Sequence, residues 1–176
     1  MLSKGSKRLA DDHATLDQLL AQLQAALNNG DVDACYASLD LFWAKLAVHI
    51  RAEHLHLFPD VLDRVVETAA FNVTRTAIER LRADHEFFMH VLGRAVETIR
   101  LLANVSEQFV IDQGLDTVRR AVSEIERKLV DHNRIEESHI YQLAGIVFNT
   151  QEQTELATRI NDELEDRPPR FAASLW

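Results

Sequence analysis

A chain of 176 residues, 47% hydrophobic and 27% charged, has the length and composition of one globular domain able to bury a sizeable core. Its net charge of −9, from 28 acidic against 19 basic residues, argues against nucleic-acid binding, and no stretch reaches the roughly 20 continuous apolar residues of a membrane span. One cysteine, Cys35, excludes an internal disulfide framework, and the opening Met1-Leu-Ser-Lys-Gly-Ser-Lys-Arg8 lacks the apolar run of a secretion signal, so the expected location is the cytoplasm.

Few glycines and prolines, with abundant Leu, Ala, Glu, Arg and Gln, indicate an all-α protein. The first helix is expected from about Lys7 to Leu27, where Leu9, His13, Leu16, Leu20, Leu23 and Leu27 recur at alternating spacings of four and three. It stops at Asn28-Asn29-Gly30. Asp31 reads as the N-cap of a second helix with the stripe Cys35, Leu39, Phe42, Leu46, His49, Glu53 and His56. Pro59 ends or kinks that helix, a short continuation covers Val61 to Glu67, and residues 68–75 form a connection.

The third helix carries Ile78, Leu81, His85, Phe88, Leu92, Ala95, Ile99 and Leu102. A loop or short helix around Ser106 to Gly114 leads to the fourth, with Val118, Val122, Ile125, Leu129, His132, Glu136, His139, Leu143 and Ile146 on one face. A fifth, shorter helix is expected from about Gln151 to Glu165, opened by a capping box of Thr150 and Gln153. The pattern is that of an up-down-up-down four-helix bundle with a short additional C-terminal helix, one domain over residues 1–166. The tail, residues 167–176, has no period and reads as a strap, a free end or an interaction segment, and the oligomeric state stays open.

Two strings repeat. His49-Ile-Arg-Ala-Glu53-His54-Leu-His56 returns as His132-Asn-Arg-Ile-Glu136-Glu137-Ser-His139, both reading His-x3-Glu-x2-His, and the first and third helices each carry a lone His in an Asp-His pair, Asp12-His13 and Asp84-His85. Steps of four and three return to nearly one helix face, so each repeat aims imidazole and carboxylate the same way. The stripes turn His13, His49, His56, His85, His132 and His139 inward and leave His54 and His90 outside. One inward His is ordinarily a hydrogen-bonded core residue; six of them are harder to read so, and an unpaired inward carboxylate costs several kcal/mol. No Lys or Arg lies on the four stripes to pair with Glu53 and Glu136. A metal ion supplies the missing charge, and with the parallel helices bringing their ligands to one level, two halves converge on a shared centre. Imidazole and carboxylate without thiolate suit iron first, with manganese or zinc less favoured, and Glu between pairs of His suits a two-metal site.

In the order His13, His49-x3-Glu53 followed by Leu57-Phe58-Pro59, His85, and His132-x3-Glu136, the chain resembles the hemerythrin-like, or HHE cation-binding, family over about residues 10–146, and is more similar to its bacterial branch. The resemblance implies a non-haem di-iron centre with an oxo- or hydroxo-type bridge, His13 and His49 serving mainly one iron, His85 and His132 the other, and Glu53 and Glu136 bridging. It also implies a small ligand, O2, NO or peroxide, in sensing, storage or stress response. Met89 stands where the oxygen carriers have a second His on the third helix, and their closing His-x4-Asp would select Glu137 here rather than Glu136, which counts against reversible oxygen carriage.

His56 and His139 have three readings: further metal ligands, partners that orient a ligand from behind, or structural residues. Glu53-x2-His56 and Glu136-x2-His139 also match the Glu-x-x-His elements of ferritin-like di-iron proteins, so an oxidase, peroxidase or catalase-like enzyme is the rival reading. Such a site would need a Glu at ligand level on the first and third helices, where His13 and His85 stand and Glu86 lies off the stripe. Glu137, His54 and His90 read as surface or supporting residues, and Asp17 as a candidate to orient His13 or a surface carboxylate.

Overall fold

The computed structural model describes residues 2–166; the expectations for the tail, residues 167–176, lie outside the described residues. Helix α1 (Lys4–Asn29) opens where the Ser3 side chain accepts the backbone N–H of Ser6, and ends at Gly30, whose φ of 70° is the left-handed conformation open to glycine at little cost. Asp31 caps α2 (Val32–Ala52) as expected, accepting from the Ala34 N–H at 2.9 Å. A turn of π-helix (Glu53–Leu57) joins α2 to α3 (Phe58–Val65) without interrupting the rod, so that Pro59 sits in the first turn of α3.

Helix α4 (Phe71–Leu102) begins inside the segment expected to be a connection, because Thr74, polar but fully buried, extends the packed face one turn before Ile78. Helix α5 (Gln108–Ile135) likewise starts before Gly114. A Cβ on Gly114 would fall 2.7 Å from the Leu102 side chain, so this glycine is a close-approach point between helices and not the loop end it resembles in sequence. A second π turn (Glu136–Ile140) leads to α6 (Tyr141–Val147). The capping box of α7 (Thr150–Glu165) is Asn149 with Glu152, one residue before the expected pair: Asn149 is the residue with extended backbone whose side-chain oxygen reaches the Gln151 and Glu152 N–H groups.

Among the described residues the protein is all helical. Helix α1 lies along α2 and α4 along α5, the pairs meet through α2 against α4 and α1 against α5, and α7 covers α1 and α2. Two apolar clusters result. One gathers Leu23, Leu39, Phe42, Phe88, Leu92, Val118 and Ile125 with their neighbours; the other gathers Leu9, Leu57, Phe58, Val61, Leu81, Ile140, Tyr141 and, from α7, Leu156 and Ile160. On each long helix the residues separating the two clusters are polar and buried: Asp12 and His13; Lys45, His49 and Glu53; Asp84 and His85; His132 and Glu136. No described helix is long and apolar enough to cross a membrane.

Candidate metal centre

Both π turns begin on a glutamate. The Phe58 N–H bonds to the Glu53 carbonyl and the Tyr141 N–H to that of Glu136, each spanning five residues instead of four. The extra residue rotates everything downstream by about 100°. This corrects the continuous stripe read from the sequence. Leu57 and Ile140 take the inward places expected of His56 and His139, and Ala144 is buried whereas Ile146 is exposed. The half-buried His56 lies 3.5 Å from Glu163, and His139 contacts the Thr74 hydroxyl at 3.4 Å; neither joins the cluster described below.

The other six residues come together. His13, His49 and Glu136 form one group of potential metal ligands, and Glu53, His85, His132 and Glu136 another, each with ligand atoms within 4.8 Å of one another and every member buried. Glu136 belongs to both. Its Oε2 is 3.2 Å from His13 Nε2, and its Oε1 is 2.8 Å from His132 Nε2 and 3.7 Å from His85 Nε2. Glu53 Oε2 is 3.4 Å from His85 Nε2 and 3.8 Å from His49 Nε2, while its Oε1 accepts a 2.7 Å hydrogen bond from the Tyr141 hydroxyl.

All four imidazoles are held by the far nitrogen. His49 Nδ1 faces Asp12 at 3.2 Å, His132 Nδ1 faces Asp84 at 3.5 Å, His13 Nδ1 faces Glu137 at 2.8 Å and His85 Nδ1 faces His54 Nε2 at 2.8 Å. A carboxylate only accepts, so Nδ1 of His13, His49 and His132 donates, and in the neutral ring that binds a cation the lone pair is left on Nε2, aimed into the cluster. The same holds for His85 when His54 Nε2 accepts. Carboxylate behind imidazole in front of the ligand site is the arrangement that orients metal-binding histidines.

The supporting residues follow the repeat. Asp12 is paired with Lys45 and Asp84 with Lys128, each lysine one turn before the histidine its aspartate orients. Sequence reading missed both lysines, which stand off the apolar stripe, yet the repeat extends upstream to show them: Lys45-Leu46-x2-His49-x-Arg51-x-Glu53 against Lys128-Leu129-x2-His132-x-Arg134-x-Glu136. His54 and Glu137 occupy matching places after each glutamate and support the histidine of a distant helix. Glu137, not the exposed Asp17, bonds His13. His90 is exposed.

The electrostatics are those of a site short of positive charge. Burial and the adjacent Glu136 push Glu53 well above the carboxylate range. Burial would raise Glu136 too, but His132, His13 and His85 hold it well below that range. Burial would lower His132, yet Glu136 and Asp84 push it up to about 9, while burial and His132 bring His85 down to about 4. Protons are thus shared among groups of one cluster. His49 Nε2, Glu53 Oε2 and Glu136 Oε1 are buried without a hydrogen-bond partner, the condition a cation relieves. By donor type the six residues fit a borderline cation such as iron, manganese or zinc.

The family model of the hemerythrin HHE cation-binding domain matches residues 4–144. The matched span holds all six of these residues and ends within α6, before α7. No curated protein and no solved structure matches the chain significantly.

Proposed function

Since the chain belongs to the hemerythrin HHE cation-binding domain family, we propose that it is a metal-binding protein holding a di-iron centre in an up-down-up-down four-helix bundle, and that this centre binds a small ligand, O2, NO or peroxide. His13 and His49 would hold one iron and His85 and His132 the other, with Glu136, which belongs to both groups of ligands, available to either. Glu53 would join His85 and His132, with its Oε2 3.8 Å from His49 Nε2. The observation that carries the reading is the convergence of four imidazoles, each tied at Nδ1, with three partnerless buried donor atoms around one spot. Iron bound there supplies redox chemistry and an exchangeable coordination position.

The remaining work belongs to the chain. Asp12, Asp84, His54 and Glu137 fix the imidazole orientation from behind; His49 with Lys45, and His132 with Lys128, hold the aspartates below the usual carboxylate range; the apolar clusters above and below exclude water. A ligand-binding or sensing role is favoured over the ferritin-like enzyme, because the helices pairing with the two Glu-bearing ones contribute His13 and His85 and no glutamate at that level, and His56 and His139 stand away from the cluster. The test is exposure of the reduced, iron-loaded protein to O2, NO or peroxide. Binding gives a spectral change that saturates with one equivalent per centre. Sustained consumption of peroxide or Fe(II) replaces it with the enzymatic reading.

A further inference from the structure

The two halves of the site are unequal. The group around His85 and His132 offers four protein ligands, whereas that around His13 and His49 offers three, one of them the shared Glu136. On the poorer side lies a group that no stripe or motif marked. The Tyr141 hydroxyl is 2.7 Å from Glu53 Oε1, 3.4 Å from His13 Nε2 and 3.5 Å from Glu136 Oε2, with its ring stacked on His13 at 24° and its side chain wholly buried.

The repeat separates what the ring does from what the hydroxyl does. Tyr141 follows Glu136 by five residues, as Phe58 follows Glu53, and the backbone N–H of each donates the long hydrogen bond that closes a π turn. Phe58 stacks on His85 at 8° as Tyr141 stacks on His13. A plain phenyl ring therefore suffices for packing at this place. The hydroxyl is an addition, made only on the half with three ligands, and directed at its donor atoms. A buried hydroxyl oxygen among imidazole and carboxylate ligands is a hard donor, anionic once its proton leaves with entry of the metal.

We propose that the Tyr141 oxygen is the fourth protein ligand of the His13–His49–Glu136 group, binding the metal as phenolate, so that each half has four protein donors. This rests on the metal-centre reading above. The metal–oxygen bond would replace the O–H bond, the proton would pass to solvent, and Glu53 Oε1 would lose the hydrogen bond it now accepts.

The chain has two tyrosines, and the other, Tyr36, packs in the apolar cluster without these ligands, so a tyrosinate signal can be assigned by substitution. The full chain is loaded anaerobically with Fe(II), oxidised, and examined for metal content, visible absorption and resonance Raman. The expected result is a phenolate-to-iron charge-transfer band carrying tyrosine ring modes, kept in Tyr36→Phe and lost in Tyr141→Phe. That variant also binds one of its two metals at least about tenfold more weakly. Phenylalanine fits at the matching Phe58, so Tyr141→Phe should fold; if it does not, persistence of the band in Tyr36→Phe makes the assignment by itself. Iron bound without tyrosine modes, or with modes surviving in Tyr141→Phe, overturns the proposal and leaves the metal centre standing. Failure of the wild-type chain to retain iron overturns both.

Discussion

At the scale of single residues, the distinction that matters is between groups that face the cluster and groups that hold those groups still. Asp12→Asn and Asp84→Asn keep the shape of the side chain but remove the charge behind His49 and His132. Each is expected to weaken metal binding about 10–100-fold, read by titration against a competing chelator. Asp12→Ala has a further consequence, because Lys45 is 6% exposed and would lose its partner; a stability loss of about 3–5 kcal/mol is expected in denaturant unfolding. Protonation sets the pH dependence. His132, pushed up to about 9, holds a proton at neutral pH that it must give up to bind a cation, and the burial and neighbouring Glu136 that raise Glu53 well above its usual range act in the same direction. Metal affinity should therefore rise with pH between about 6 and 8 with measurable proton release, each displaced proton contributing about tenfold per pH unit. Affinity that is flat across this range would mean that neither group is a ligand.

At the scale of elements, the π turns decide which parts of the sequence pattern survive folding. Every stripe residue before Glu53 and Glu136 is buried as its spacing indicates, from Leu9 to Leu27, Cys35 to Glu53, Ile78 to Leu102 and Val118 to Glu136. The error begins one residue beyond each glutamate, where His56 and His139 sit at ordinary α-helical spacing and a local period carries no mark of an inserted residue. The signal existed in a different form: Leu57-Phe58 and Ile140-Tyr141 supply the apolar residues that a shift of one places inward. Because the turn accommodates one residue more than an α-helix, deletion of Leu55, 57% exposed, should convert Glu53–Phe58 into an ordinary turn and leave a folded, cooperatively melting protein. Deletion of Ala47 in α2 rotates His49 and Glu53 by about 100° relative to the preceding core face and should abolish cooperative unfolding, a contrast that circular dichroism melts resolve. At the end of α1, Gly30→Ala places a Cβ at a φ of 70° and should cost about 1 kcal/mol in thermal or denaturant unfolding.

At the scale of the whole molecule, a polar layer divides the apolar interior, and the six residues at its centre come from four helices that the chain reaches in sequence order. That the helices would bring these residues together was legible from the repeat alone. The longest-range supports were not: Glu137 bonds a histidine 124 residues away and Tyr141 a glutamate 88 residues away, and contacts at such separations depend on how helices are rotated against each other, which stripes do not specify. With two buried carboxylates in contact with four imidazoles, the metal-free protein keeps buried ligand atoms without partners, so cation binding should raise the melting temperature and chelation lower it. The most direct test counts metal in the purified, iron-loaded chain beside the Glu53→Gln and Glu136→Gln double variant. Two irons per wild-type chain and none in the folded variant are expected. A wild-type chain that retains no metal, or a variant that keeps its full complement, contradicts the metal-centre reading.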